Sequence, residues 1–595
     1  MINIFKKCFT ICFLLIIGVT LFAKGQPEPD RKEAIVYSVV SSGIEEKQAQ
    51  VLARYLGLQQ ERLVNENGVL DFLDSKSYQA VPSKLSGEVE LDEDGNKIQL
   101  EILDIVALRK LEVISTEKAL DIFASALKKS GLLPEGAKAD TYYTSLNFLN
   151  AEKREEFSVK IDTVVKWEAQ LNGVPLVGPG SVISANFSSR GSLSNLHYAS
   201  RKVREMDKVQ LLTQEEVVDI IRRKYNNQEL QVETSLVYYA PELSLKSVRY
   251  LLPYYNCVIT DPEGKLSYLE DLIPAAYNSE FVPELQVKLD NNGDMVTGSV
   301  DIKGGQEPYI IQWNINGEYK TRGNQVYISS IYNRNNEYDV AIPVTVTDGN
   351  GVAQTVTTSL TYIPSFLSPT LPPVAADTDF GTENAVTNQF GDLEQGFVNE
   401  MLSHSVTKRY QWKGKNAWER DFKYPHDVYY TDETDITFYV GHGSPNSFTF
   451  EDTTHDDSNL TPADANREWG NRDNEWMVIY SCQVLKKSPW KWAQVFDGLH
   501  LLLGFHTLAS VNNGFSGAFA SNMLDKNMTV RQAWFKAVDT NQPSGRTGVV
   551  MGAGKINSYG QWVWNYNDHF WGHGSVGVDI DKSEIDFYWY VSHTH

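Results

Sequence analysis

The sequence predicts a multidomain chain: an α+β N-terminal region, then an all-β sandwich, then a C-terminal α/β sheet with flanking helices. Three observations carry this. At 595 residues the chain exceeds what one hydrophobic core organises. Between Phe281 and Pro364 apolar and polar residues alternate and Gly/Asn/Asp turns recur, the rhythm of an antiparallel sandwich. From Asp377 onward the apolar runs lose that alternation and are separated by helical segments, as strands covered on both faces are.

Composition narrows the class. Apolar residues make up 42% of the chain and aromatics 11%, ample for packed cores. The formal charge of −22, with no long basic stripe, excludes a nucleic-acid partner, because phosphate neutralisation needs clustered Lys and Arg. Residues 1–24 have the order of a secretory signal: Lys6 and Lys7, an apolar run from Cys8 to Phe22, then small Ala23 and a polar stretch. The mature protein is therefore expected to be secreted, periplasmic or on the cell surface. Cys8 and Cys12 leave with the signal, and the remaining pair, Cys257 and Cys482, is too sparse for a disulfide scaffold.

Residues 25–278 mix helices and strands. A helix is expected from Ser115 or Thr116 as cap to Gly131 as stop, and a second after the Thr213–Glu216 capping box. Strands lie between them, with Asn172-Gly173 marking a hairpin, and two more flank the turn at Pro262–Gly264. "NGVPLVGPGSVISANFSSRG" and "LLPYYNCVITDPEGK" resemble the PepSY and cystatin-like inhibitory propeptide modules of secreted peptidases, over residues 140–276. A generic accessory domain fits the same pattern. Residues 281–364, with "PYIIQWNING" and "VTVTDGNG", resemble the polycystic-kidney-disease type of immunoglobulin-like repeat, which implies a spacer or adhesion role. Asp290, Asp294 and Asp348 in its turns are read as turn formers rather than calcium ligands. A Pro-rich linker, 365–376, follows.

In residues 377–595, "ITFYVGHGSP" and "WMVIYSCQV" each run as a short apolar strand that stops at a reactive side chain, His442 and Cys482. Sites in α/β sheets form at the carboxyl ends of strands. If the two strands are neighbours, imidazole and thiol face one cleft, and the imidazole raises the nucleophilic competence of the thiol. Gly441 and Gly443 flank the histidine and allow close backbone approach, and the amides of Gly443 and Cys482 are placed to form an oxyanion hole. Ser444, Ser481 and His506 are further candidate cleft residues. Asp435, before the histidine strand, is either a positioning acid for His442 or an ordinary strand-edge acid.

The pair of strands ending in His-Gly and Ser-Cys, forty residues apart, resembles the caspase, legumain and gingipain clan of cysteine peptidases. Further pieces, "NQFGDLEQGF", "NAWERDF", "LLLGFHT" and "VRQAWFKAV", are similar to an uncharacterised bacterial branch of that fold. The resemblance implies a caspase-like sheet over 377–595, Cys482 as nucleophile, His442 as general base and acid, a protein or peptide substrate, and no cofactor or metal. "QVLKK" after Cys482 departs from the caspase and legumain patterns, so no specificity residue carries over.

The remaining histidines read more plainly. His573 lies in a second "GHG" with no matching strand before it, and His455 beside Asp456 and Asp457 lacks a second ligand pair. Trp490 and Trp492 are expected to pack a helix onto the sheet. The reading is thus an exported cysteine peptidase. The alternatives are a non-enzymatic cell-surface or adhesion protein on the same fold, or an amidase or transpeptidase using the same dyad. The N-terminal region is expected to occlude the cleft, with cleavage near Ala275 or in the linker releasing it.

Overall fold

The computed structural model describes residues 31–595 apart from 59–63, 88, 92–94, 152–155, 278, 292–295, 316–317, 322, 329–330, 333–339, 361–365, 368–377 and 487–488. The signal segment, Asp294 and nearly all of the linker lie outside the described residues. The chain builds several sheets and is mostly strand, with helices packed on the largest sheet.

That largest sheet is fifteen-stranded, and its main path has twelve strands. From the N-terminal region come β1 (Leu70–Leu73), β2 (Lys138–Asn150), β3 (Glu156–Glu168), β4 (Ile183–Ser188) and β5 (Leu193–Tyr198). From the C-terminal region come β6 (Asp379–Asn384), β7 (Thr407–Lys413), β8 (Ile436–Val440), β9 (Trp476–Tyr480), β10 (Leu501–Phe505), β11 (Thr547–Ile556) and β12 (Phe587–Thr594). Their spatial order is β1-β5-β4-β3-β2-β12-β11-β10-β9-β8-β6-β7. Strands β7, β6, β8, β9 and β10 are parallel, whereas β11 runs antiparallel to β10. β8, β9, β10 and β11 fall where apolar runs predict strands, and β8, β9 and β10 are buried along their whole length.

The sequence presents the N-terminal and C-terminal regions as successive units, but their strands lie in one sheet. β12 pairs with β11 on one edge and with β2 on the other, Phe587 opposite Asn150 through Ser592 opposite Ser145. The apolar core follows the sheet: Leu146, Phe148 and Ile161 pack in one cluster with Phe438, Val478, Phe505 and Trp589.

The helices form where their caps predict. α1 (Thr116–Ser130) starts at Ser115, whose side chain accepts from the Lys118 amide, and stops at left-handed Gly131. α2 (Gln214–Lys224) carries the complete Thr213–Glu216 capping box. Asn172 and Gly173 both have positive φ, as their hairpin turn requires. In the C-terminal region α3 (Thr387–Phe390) and α4 (Gln395–Ser403) follow β6, and α5 (Phe515–Leu524) and α6 (Val530–Asn541) precede β11. Phe397, Val398 and Met401 are buried on α4, while Leu402 near its C-terminal end is 47% exposed. The segment expected as a helix around Trp490 and Trp492 is a single 3-10 stretch, Pro489–Val495; Trp492 is buried against Trp469, so the packing role holds. Among the described residues no helix is long and apolar enough to cross a membrane.

Among its described residues the middle unit packs a three-stranded and a four-stranded sheet around Trp313, Val344 and Ile328. Asp348 is spent on its own turn, accepting from the amides of Asn350 and Val352 at 2.9 Å each and from Gln306 at 2.8 Å. Asp290 is exposed on a strand.

The joint between the regions has a polar centre. α6 carries Arg531, Lys536 and Asp539, all buried beneath N-terminal strands. Asp539 accepts from His593 Nε2 at 2.7 Å and from Tyr78 Oη at 3.1 Å, while the other ring nitrogen of His593 meets Thr144 Oγ1 at 2.7 Å. Burial alone would raise Asp539 and lower His593, but each charge beside the other reverses both shifts. The histidine's contribution is complete below about pH 6.5 and is lost as pH rises through its raised value; the aspartate's is complete above about pH 4 and is lost on acidification. We expect Asp539→Asn to destabilise the fold by about 3–5 kcal/mol, because it leaves buried partners uncompensated. The measurement is chemical unfolding of the full chain at pH 5.5 and pH 8.5, with a larger loss at the lower pH. A change near zero at both would mean the pair contributes nothing.

Candidate active site

β8 and β9 are adjacent, and their register sets Ile436 opposite Trp476 and Val440 opposite Tyr480. His442 and Cys482 each follow two residues later, so both emerge at the same carboxyl edge. The backbones crowd there. A Cβ on Gly443 would meet the Ser481 hydroxyl and lie 2.6 Å from the Cys482 carbonyl, so only glycine fits. Immediately after the cysteine, Gln483 takes φ +58°. Its amide bonds to the Thr507 carbonyl at 2.8 Å, which holds this uncommon conformation in place.

His442 and Cys482 come together in a cleft that is filled rather than open. His442 is 7% exposed and Cys482 fully buried. A hairpin of the N-terminal region, whose strand Pro253–Thr260 turns at Pro262–Gly264, returns as an extended strap, Leu266–Glu270, across both strand ends. Ser267 pairs with Gly443: its carbonyl accepts from the Gly443 amide at 3.1 Å and its amide donates to the Gly443 carbonyl at 2.8 Å. The Tyr268–Leu269 peptide unit then spans the dyad. The thiol of Cys482 donates to the Tyr268 carbonyl at 3.2 Å, and the Leu269 amide donates to His442 Nδ1 at 3.2 Å. The Ala509 amide donates to the same sulfur at 3.2 Å.

His442 is further fixed by a residue that sequence reasoning did not single out. Its Nε2 lies 3.0 Å from Gln389 Oε1, on α3 just beyond β6. With Nδ1 accepting from Leu269, this bond assigns the ring proton to Nε2. The one available signal was the position of "NQF" after the first strand, at the same carboxyl edge. Tyr268 packs on the imidazole at 4.5 Å and Tyr225, which follows α2, at 5.6 Å between ring centres. Burial lowers His442 to about 3, helped by Lys224, and burial raises Cys482 to about 12. In this state the dyad is a neutral imidazole and a protonated thiol.

Other candidates sit elsewhere. Ser444 bonds to Ser447 within its own hairpin, and Ser481 is buried against Gly443 with its hydroxyl unpaired among the described residues. Gly441 donates its amide to Tyr480 at 3.2 Å. His506 turns to the Leu485 carbonyl, at 3.3 Å, on the far side of the cysteine turn. Asp435 does not orient His442: it precedes β8 at the opposite edge of the sheet, where it accepts from the Asp379 amide. His455 stacks on Trp418 and bonds to Asp452, leaving Asp456 and Asp457 to a carboxylate group with Glu419, which Lys423 bridges. His573 bonds to Asn527 on a loop.

The region that carries the dyad matches a known family model. Residues 375–593 are similar to the family described as Domain of unknown function (DUF6345). No curated protein matches the chain. Within the matched segment lie His442, Cys482, Gln389 and the whole of β6–β11; the strap comes from outside it.

The closed arrangement has a direct chemical consequence. A thiol moved from its ordinary value near 9 to about 12 has roughly a thousandfold less thiolate at neutral pH. Alkylation of the native chain by iodoacetamide at pH 7.5 should therefore leave Cys482 almost unmodified over hours, while the guanidinium-unfolded chain reacts within minutes at both Cys257 and Cys482. Rapid native labelling at Cys482 would contradict the closure.

Proposed function

We propose that the chain is an exported cysteine peptidase of the caspase, legumain and gingipain clan, latent when intact. The observation that carries the reading is the placement of Cys482 and His442 on the carbonyl and amide sides of one peptide unit, at the ends of neighbouring parallel strands. On this reading the C-terminal sheet is caspase-like, the middle unit is an immunoglobulin-like spacer, and the N-terminal region is a propeptide-type module.

The residues support a complete acyl-transfer cycle. With the strap gone, His442 takes the thiol proton, and sulfur attacks the carbonyl carbon of a bound peptide. The amides of Gly443 and Cys482 receive the oxyanion. His442 then gives the proton to the leaving amine, and water hydrolyses the thioester. Gln389 holds the imidazole in register, the role of the third group in such constellations. The strap escapes this chemistry because it is bound one residue out of step. The Gly443 amide holds the Ser267 carbonyl, while the sulfur faces the carbonyl of Tyr268.

A second reading has one observation in its favour. Every polar atom of the dyad side chains is satisfied by the strap or by Ala509 and Gln389, as in a staple between regions of a non-enzymatic surface protein. The test starts from a nick. Lys265, exposed at the turn that leads into the strap, offers trypsin a cut that frees one end. The nicked chain should hydrolyse a peptide library, and Cys482→Ala and His442→Ala should each reduce turnover at least a thousandfold with unfolding unchanged. Gln389→Ala should cost about tenfold to a hundredfold and alter the pH profile. Equal activity in all nicked samples, or none in any, would favour the staple.

A further inference from the structure

The strap does more than cover the dyad: it plugs a built receptor for a carboxylate. Glu270 is 1% exposed, and both its oxygens are engaged. Arg546 grips them in a two-pronged pair, Nε to Oε2 at 3.0 Å and Nη2 to Oε1, and the Ser510 hydroxyl donates to Oε2. Asn256 Nδ2 adds a longer bond to Oε1, 3.4 Å, from the N-terminal side. The backbone of Glu270 is held as an added strand, its amide on the Ala509 carbonyl and its carbonyl on the Val511 amide, 3.0 Å each.

Except for Asn256, these groups belong to the C-terminal region and are anchored within it. The Ser510 amide donates to Gln542 Oε1 at 2.9 Å, and the Ser510 carbonyl accepts from Tyr480 Oη at 2.6 Å. The amide and carbonyl neighbours of Arg546 are tied to His595: Gly545 donates to the His595 carbonyl, and the His595 amide donates to the Arg546 carbonyl at 2.8 Å. The backbone that carries the receptor is therefore anchored within the C-terminal region, and the Arg546 guanidinium and Ser510 hydroxyl reach from it to Glu270. Beside it, Leu269 fills a fully buried apolar place in the core cluster that contains Phe390, Tyr480 and Cys482.

We propose that Arg546, Ser510 and the Ala509–Val511 backbone form a peptide-binding subsite that takes an acidic side chain, next to a place for an aliphatic one, and that Glu270 occupies it in the intact chain. The ligand class is an extended peptide with an acidic residue two positions beyond the carbonyl that faces Cys482. The planar guanidinium matched to both carboxylate oxygens makes the subsite discriminate Glu from Gln, since an amide would set an N–H against a donor. This deepens the peptidase reading and rests on it for what the bound peptide undergoes; the binding itself is tested without hydrolysis.

The test uses the full chain and two synthetic nonapeptides, the sequence of residues 264–272 and its Glu→Gln counterpart. Iodoacetamide labelling of Cys482 is read by mass spectrometry. Glu270→Gln should raise the labelling rate at least tenfold. The Glu peptide should then protect Cys482 at concentrations at least tenfold lower than the Gln peptide, and adding Arg546→Gln should erase the difference between them. If Glu270→Gln does not unfold cooperatively, Glu270→Asp, which keeps the charge but withdraws it by one methylene, is put through the same comparison. Equal protection by both peptides, or a discrimination that survives Arg546→Gln, overturns the subsite. A chain that binds the Glu peptide selectively but never cleaves one removes the peptidase reading alone. A chain that cleaves without regard to the acid removes the subsite alone.

Discussion

Strand β12 is hydrogen-bonded along both edges, and the state of the cleft depends on it. Backbone donors and acceptors buried in a sheet interior must be paired, so the C-terminal strands need β2 beside β12 as much as the N-terminal strands do. This fixes the two regions as one body. The strap reaches His442 and Cys482 because a continuous sheet holds its parent region in place, and a tether alone would not set its register on Gly443. The same fusion explains why α6 carries charges in a place without solvent: Asp539 meets His593 of β12, and Lys536 meets Asp71 of the N-terminal region at 2.5 Å.

The geometry at Cys482 follows from crowding at the strand ends. β8 and β9 leave the sheet side by side, and glycine at 443 lets their backbones close on each other. The turn after Cys482 is made by a residue with positive φ, Gln483, whose amide is pinned from the β10 side. An uncommon backbone held by its neighbours in this way is typical of functional turns, because it aims one side chain without a long loop. Gln389 reaches the same edge from β6. Three strands of the parallel sheet thus each deliver one member of the constellation.

What was legible in the sequence is what is local. The caps at Ser115, Gly131 and Thr213, the Asn172-Gly173 turn, and the strands that end at His442 and Cys482 depend on residues within a few positions of each other. Their periodicity and chemistry state the outcome. The strap was legible only as a strand, because its partners on Gly443 and Ser510 lie far along the chain and no pattern within "KLSYLED" announces them. The burial of Arg531, Lys536 and Asp539 on α6 was not legible, since hydropathy describes a helix without its neighbours. The exposure expected at Ala275 was misjudged for the same reason: the polar look of "AAYNSEF" conceals that Ala275 and Ala276 are buried. Gln389 gave no signal of its own, because an amide acquires meaning only from the ring it faces.

The closure also changes what a binding measurement on the intact chain reports. On the proposed reading strap and external peptide compete for one place, and the strap is always present. The apparent affinity for any peptide is its intrinsic affinity multiplied by the fraction of molecules with the strap out, so every 1.4 kcal/mol of closure weakens apparent binding tenfold. Two peptides suffer this equally, and their ratio survives. The site's preferences therefore remain readable in an intact chain that binds everything poorly, whereas absolute constants measure the hairpin more than the cleft.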